Sequence, residues 1–274
     1  MGAPIGVFDS GAGGLSIVAA IHAAMPGQPI RYFADTAYAP YGPRSDRQIL
    51  ERTHACCTQL LERGVAALVV ACNTATANAI DELRAWAPVP VVGVEPGLKP
   101  AAAASRAGIV GVLATHATLA SRRYAELLAR VQAQYPQVRF IEHAALGWVE
   151  LVESGDLASD NACAVVGQAV EPLLARGADT LVLGCTHYPF LISAIRAWSG
   201  EAQIVQTGPA VARELQRRLL LHAATEDAMP LQGDGLIEIE CSGPRESFCA
   251  LAANLLASEP GVARAAAAPA ASGM

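Results

Sequence analysis

The alternation of short apolar runs with helical segments predicts an α/β protein: two pseudo-symmetric, doubly wound domains with mainly parallel sheets and the active site in the interdomain cleft. Three observations carry this. Strands alternate with helices along nearly the whole chain, which implies parallel sheets covered by helices on both faces. The length of 274 residues suits two units of about 100–150 residues each. A segment also repeats. Leu60–Cys72 (LLERGVAALVVAC) lies over Leu173–Cys185 (LLARGADTLVLGC) with seven of thirteen positions identical. Each copy reads as a helix end, a glycine stop, a buried apolar strand and a cysteine at the strand's carboxyl end.

The elements follow in order. Pro4–Phe8 is a short apolar strand, and Gly11-Ala12-Gly13-Gly14 turns it into a helix ending near Met25, before Pro26-Gly27. Ile30–Ala34 is the second strand, and Asp35–Arg44 is a loop stiffened by Pro40 and Pro43. Ser45 with Gln48 three residues on is a capping-box pattern, and Gly64 stops the helix it opens. Ala66–Ala71 is a buried strand, Thr74–Trp86 a helix, and Val89–Val94 a strand closed by Glu95-Pro96-Gly97. The pattern restarts at Gly108–Leu113, where Val110-Gly111-Val112 matches Ile5-Gly6-Val7. A helix over Thr118–Gln134 carries Leu119, Leu127, Leu128 and Val131 on its apolar side. Val138–Ile141 is a strand; Trp148–Glu153 and Asn161–Ala175 are helices; Thr180–Leu183 is the strand before Cys185, whose turn through Pro189 leads into another helix. Ile204–Gln206, Pro209–His222, Leu236–Cys241 and Arg245–Leu256 complete the chain as strand, helix, strand and helix. The first domain is expected to comprise 1–97 plus 209–257 and the second 98–208. The Ala- and Pro-rich stretch 258–274 is expected to be a disordered tail.

Composition narrows the function classes. With 53% hydrophobic and 16% charged residues, the chain packs as a globular protein. A net charge of −6 argues against nucleic-acid or anionic-membrane partners. Seven cysteines, an odd number without any Cys-x-x-Cys, suit a reducing cytosol and argue against a zinc ribbon or a thioredoxin-type site. No apolar run reaches the ~18–20 residues of a membrane span, and the N-terminus lacks a signal-peptide pattern. The expected location is cytoplasmic. There is one lysine, Lys99, so a Schiff-base cofactor mechanism is disfavoured, and no metal is expected.

In open α/β sheets ligands bind beyond the carboxyl ends of the strands. Asp9-Ser10, Cys72-Asn73-Thr74 and Cys185-Thr186-His187 all fall at such ends. If the halves face each other, two thiols converge on one cleft from opposite sides, which suits inversion of a carbon centre. A thiol has a reference pKa of about 8.5, and a following helix N-terminus favours the thiolate. Both candidate cysteines precede a helix in this reading, whereas Cys56, Cys57, Cys163, Cys241 and Cys249 read as structural. His187 either tunes Cys185 or is a structural histidine. The loop Asp9–Gly14 offers backbone N–H groups to an anion but lacks both the phosphate-loop ending and the dinucleotide spacing. Glu153 and Glu150 are not separable at this stage.

Several motifs together resemble the glutamate racemase family of the cofactor-independent aspartate/glutamate racemase superfamily. They are Ile5-Gly6-Val7-Phe8-Asp9-Ser10-Gly11-Ala12-Gly13-Gly14-Leu15, Asp35-Thr36 with Pro40-Tyr41-Gly42, Ala71-Cys72-Asn73-Thr74-Ala75, Val92-Gly93-Val94-Glu95-Pro96-Gly97 and Gly184-Cys185-Thr186-His187-Tyr188-Pro189. The resemblance implies a two-base racemisation without cofactor, in which Cys72 works on D-glutamate and Cys185 on L-glutamate. It makes Asp9, His187 and Glu153 catalytic helpers. It places Asp9, Ser10, Tyr41, Gly42, Asn73, Thr74, Thr118, Thr186 and His187 at the substrate. It also implies a homodimer that supplies D-glutamate for peptidoglycan. Ala145-Leu146 stands where the family usually carries Cys-Pro. The competing readings are a racemase for aspartate, another amino acid or a hydantoin, a non-catalytic anion-binding protein using the same cleft, and a protein that regulates another enzyme.

Overall fold

The computed structural model describes residues 2–224, 233–259 and 265–267. Its strands are β1 (Ile5–Asp9), β2 (Ile30–Ala34), β3 (Ala67–Val70), β4 (Val91–Gly93), β5 (Ile109–Ala114), β6 (Arg139–Ala144), β7 (Thr180–Leu183), β8 (Gln203–Val205), β9 (Ile237–Cys241) and β10 (Ala265–Ala267). They form a six-stranded sheet ordered β10-β9-β2-β1-β3-β4 and a four-stranded sheet ordered β6-β5-β7-β8. All the pairings in both sheets are parallel. The fold is therefore α/β with two parallel sheets. The order β2-β1-β3-β4 recurs as β6-β5-β7-β8, so the repeated sequences end in equivalent strands, β3 and β7. In each sheet the chain leaves the central strand in one direction and returns on its other side. That reversal opens a crevice at the carboxyl ends of β1 and β3, and of β5 and β7.

The helices are α1 (Leu15–Ala24), α2 (Asp46–Glu62), α3 (Asn73–Trp86), α4 (Leu98–Ala104), α5 (His116–Leu119), α6 (Arg122–Gln134), α7 (Trp148–Ser154), α8 (Asp160–Ala175), α9 (Ile192–Ser199), α10 (Gly208–Ala223) and α11 (Arg245–Ala257). Side chains alternate across each strand. Ile5, Val7, Ala67 and Val69 join the core beneath α1, α10 and α11, while Phe8, Leu68 and Val70 face the opposite core under α2 and α3. In the second sheet Val110, Val112 and Val182 face α4 and α6, and Leu113, Leu181 and Leu183 face α8 and α9. One apolar cluster runs without interruption from the first sheet into the second. After β8 the chain returns to the first sheet, where α10 packs on α1 and β9 pairs with β2.

The glycine stops of the repeat are confirmed in position: Gly64 and Gly177 end α2 and α8 with φ of +72° and +88°, where an L side chain is strained. Three expectations are corrected. The helix over Thr118–Gln134 is two helices, because Thr115 and Ser121 each accept a backbone N–H and cap α5 and α6 separately. A helix not anticipated, α4, follows Gly97; its Pro100 lies in the first turn, where no N–H is needed. Within the tail expected to be disordered, Ala265–Ala267 pair with β9, and residues 260–264 and 268–274 lie outside the described residues. No described helix is long and apolar enough to cross a membrane.

The capping box at α2 is complete: Gln48 N donates to Ser45 Oγ at 3.3 Å, and Ser45 N donates to Gln48 Oε1 at 3.1 Å. Ser45→Ala is expected to lower the unfolding free energy by about 1 kcal/mol, read as a shift in urea midpoint at constant slope. An unchanged midpoint would show that the cap contributes nothing to the fold.

Candidate active site

β1 delivers Asp9 to the crevice, and β3 delivers Cys72 beside it through the pairing of Phe8 with Val70. Cys72 is the N-cap of α3, and its sulfur accepts from Ala75 N at 3.5 Å. Ser10 Oγ lies 3.4 Å from that sulfur and 3.5 Å from Asp9 Oδ1. The Asp9 carboxylate is buried and tied to its own loop: Oδ1 accepts from Ser10 N at 2.8 Å and Oδ2 from Gly14 N at 2.5 Å. Burial pushes the Asp9 carboxyl up to about 6, against the opposing pull of His187 and the two backbone N–H groups. Burial, reinforced by the Asp9 charge, pushes the Cys72 thiol up to about 12, although Ser10 and Ala75 favour its thiolate.

The second sheet builds its side differently. Cys185 follows β7, but no α-helix starts there. Pro189 helps to set a 3-10 turn over Tyr188–Leu191, and α9 begins only at Ile192. The expected helix N-terminus at Cys185 is thus replaced by His187, whose Nδ1 lies 3.6 Å from the Cys185 sulfur. Its Nε2 lies 2.7 Å from Glu153 Oε1 on α7, and the same oxygen accepts from Ala12 N of the first half at 2.8 Å. This separates Glu153 from Glu150: both line the cleft, but Glu153 is the one bonded to His187. Burial alone would depress the His187 pKa, yet its bonds to Cys185 and Glu153, and their charges, hold it well above the usual imidazole range. Glu153 is held below the usual carboxylate range: burial opposes this, but His187 and Ala12 N outweigh it.

The loop and the turn meet without room for side chains. A Cβ on Gly11 would lie 2.2 Å from Glu153 Oε1, and one on Gly13 would lie 2.3 Å from His187 Nδ1 and 2.7 Å from Thr186 Oγ1. Between these surfaces lies a cleft of about 1370 Å³, lined by Cys72, Cys185 and all the other residues singled out from the sequence: Asp9, Ser10, Tyr41, Gly42, Asn73, Thr74, Thr118, Glu153, Thr186 and His187. Asn73 lines this cleft, and both polar atoms of its amide are buried without a hydrogen-bond partner.

Two of these residues are oriented in ways the sequence did not indicate. Tyr41 lines the cleft, but its hydroxyl is committed to Asp35 Oδ2, to which it donates at 2.7 Å. Arg52 grips the same buried carboxylate through Nε and Nη2 at 2.9 and 2.8 Å, and its guanidinium stacks 3.7 Å from the Tyr38 ring. Thr118 Oγ1 is 2.9 Å from Thr115 Oγ1, which also lines the cleft. Sequence reasoning missed Arg52 and Thr115. Asp35 belonged to a recognised motif without a role, and Arg52 lies on the following helix with nothing local to mark it. No group of three or more His, Cys, Asp and Glu side chains among the described residues is arranged to hold a metal ion. Lys99 is exposed on α4, away from the cleft.

Comparison with known proteins agrees with this architecture. The family model for Asp/Glu/Hydantoin racemase matches residues 15–215. The chain is 50% identical over 231 residues to the glutamate racemase of Cupriavidus pinatubonensis, covering 83% of this chain and 84% of that one. It is 52% identical over 217 residues to the glutamate racemase of Methylococcus capsulatus, with 79% of each chain covered. Among solved structures, glutamate racemase RacE1 of Bacillus anthracis superposes with a TM-score of 0.81 at 30% identity, covering 98% of both chains. The Escherichia coli glutamate racemase, solved with L-glutamate and the activator UDP-MurNAc-ala, superposes at 0.80 with 31% identity, covering 92% of this chain and 95% of that one. The chain belongs to the Asp/Glu/Hydantoin racemase family and, within it, to the glutamate racemases.

Proposed function

We propose that this protein interconverts L- and D-glutamate by direct proton transfer at the α-carbon, with Cys72 and Cys185 as bases on opposite faces of the substrate and no cofactor. One observation carries the reading: the repeat-related cysteines line a single cleft, each beside its own hydrogen-bonded partners, Ser10 and Asp9 for Cys72, His187 and Glu153 for Cys185. The α-proton of an amino acid is weakly acidic, so the site must stabilise a carbanion-like transition state and exclude water. The unpartnered Asn73 amide, the hydroxyls of Ser10, Thr74 and Thr186, and the N–H groups of the Asp9–Gly14 loop are of the right type to hold two carboxylates and an ammonium group. Glutamate is the substrate that the relatives' activity and the Escherichia coli complex support.

In the L-to-D direction the Cys185 sulfur, with the His187 imidazolium donating to it from Nδ1, removes the α-proton. The Cys72 thiol, kept protonated by burial and by Asp9, delivers a proton to the opposite face. In the D-to-L direction the roles exchange, and Asp9 is the carboxylate placed to draw the Cys72 proton through Ser10. The proposal extends to a cytoplasmic homodimer, with its thiols reduced, that supplies D-glutamate for peptidoglycan. It also includes a division of the chain into 1–97 plus 209–257 and 98–208, supported by the return of α10 and β9 to the first sheet.

Following the optical activity of glutamate from each enantiomer tests the chemistry. Cys72→Ser and Cys185→Ser are each expected to lower racemisation at least about a thousandfold in both directions; a rate near that of the parent in either variant ends the two-thiol reading. The Asp9 carboxyl generates a second expectation. It is protonated below about 6, and the reading requires it ionised. Thus kcat/KM, which reports free-enzyme ionisations, should fall as pH drops through that value. A flat profile between about pH 5 and 7, in protein still folded by circular dichroism, would remove Asp9 from the proton path.

A further inference from the structure

Ser16 stands behind the cleft wall, in the first turn of α1, 8% exposed and not itself lining the cavity. Its hydroxyl has two acceptors: Gly13 O of its own loop at 2.9 Å and Thr186 O of the opposite half at 2.7 Å. A serine has one O–H proton, so the bond is shared between the halves. Thr186 lies between Cys185 and His187. The carbonyls on either side of it are used locally, Cys185 O by Tyr188 N and His187 O by Phe190 N, each at 3.2 Å. The Thr186 carbonyl instead points at α1. That carbonyl belongs to the peptide joining Thr186 to His187, so anchoring it fixes the backbone that carries the His187 ring, whose Nδ1 meets the Cys185 sulfur at 3.6 Å. Cys72 is held by other means, from within its own half, as the cap of α3.

We propose that Ser16 is a positioning residue for one side of the reaction: through the Thr186 carbonyl it sets Cys185 and His187 against the Asp9–Gly14 loop, and so governs proton transfer at Cys185 but not at Cys72. The proposal rests on the two-thiol reading above. A local role, in which the hydroxyl merely ends the loop at Gly13, would loosen the fold or the loop without distinguishing the two faces of the substrate. Reacting groups must be held within a fraction of an ångström of the productive geometry, and misplacement by ~1 Å costs about a hundredfold.

The two faces can be probed separately with an irreversible reaction that needs only one base. In 3-chloroglutamate, removal of the α-proton is followed by loss of chloride from the adjacent carbon; the resulting enamine tautomerises and hydrolyses to 2-oxoglutarate and ammonium. On the assignment above, Cys185 serves the L-isomer and Cys72 the D-isomer. Ser16→Ala only removes an atom, and a melting curve verifies its fold. The variant is expected to keep its KM for glutamate within about twofold, lower kcat about tenfold, slow elimination from the L-isomer about tenfold and leave the D-isomer within about twofold. Equal slowing of both isomers, or no change in either, overturns the proposal. Cys72→Ser and Cys185→Ser in the same assay separate the two levels of argument. If those variants do not lose opposite isomers, the two-thiol reading fails; if they do and Ser16→Ala shows no preference, Ser16 alone fails.

Discussion

The Oε1 atom of Glu153 is the point on which the two halves of the site agree. It accepts one hydrogen bond from Ala12 N of the first half and one from His187 Nε2 of its own half. A single carboxylate oxygen thereby ties the loop that carries Asp9 and Ser10 to the turn that carries Cys185. The steric consequence is severe. At Gly11 and Gly13 the loop passes so close to Glu153, His187 and Thr186 that even a methyl group would collide. Glycine is required there for proximity rather than for backbone conformation, since neither residue has a positive φ. The bond to Cys185 and this contact together hold the His187 pKa well above the usual imidazole range. Buried imidazoles normally lose their proton, but this one is bracketed by a carboxylate and a sulfur, and a buried cation persists only when it is paired in this way.

Duplication supplied two equivalent strands, yet the surroundings of their terminal cysteines have diverged. Cys72 meets a helix N-terminus, a serine and a buried aspartate; Cys185 meets a histidine and a glutamate. The reason is local. Asn73 begins fourteen residues of helix after Cys72, whereas Pro189 helps to set a tight turn after Cys185, where a side chain, His187, meets the sulfur instead.

The parts of this arrangement written in short-range pattern were legible from the residues alone. Parallel strands buried on both faces are continuous apolar runs, so β3 and β7 with their terminal cysteines stood out, as did the capping box at Ser45 and the glycine stops at Gly64 and Gly177. What was not legible depends on tertiary approach. Glu150 and Glu153 are one helical turn apart on α7, and only the positions of His187 Nε2 and Ala12 N distinguish them. Tyr41 was read as a substrate contact, but its hydroxyl is committed to Asp35, which Arg52 also grips, and these two come from β2's exit and from α2. The break between α5 and α6 was hidden because Ala120 and Ser121 fit a continuing helix; the Ser121 hydroxyl capping Tyr124 N stops it. Helix α4 lacked a periodic apolar stripe, being mostly alanine.

The unequal thiols raise a question that thermodynamics answers. L- and D-glutamate have the same free energy in water, so the equilibrium constant is one, and kcat/KM must be equal in the two directions whatever the protein does. A neutral thiol at Cys72 facing a sulfur bonded to an imidazolium at Cys185 cannot favour one product. On the proposed mechanism it can only shift how each direction divides its barrier between kcat and KM, because the Cys72 thiol must be protonated to serve one enantiomer and must give up that proton to serve the other. The His187–Glu153 and Ser10–Asp9 pairs are the groups positioned to make that exchange. On the proposed mechanism their divergence therefore tunes kinetics that the duplication left free, while the facing cysteines satisfy the one requirement that symmetry of the reaction imposes, a proton carrier on each side of the carbon.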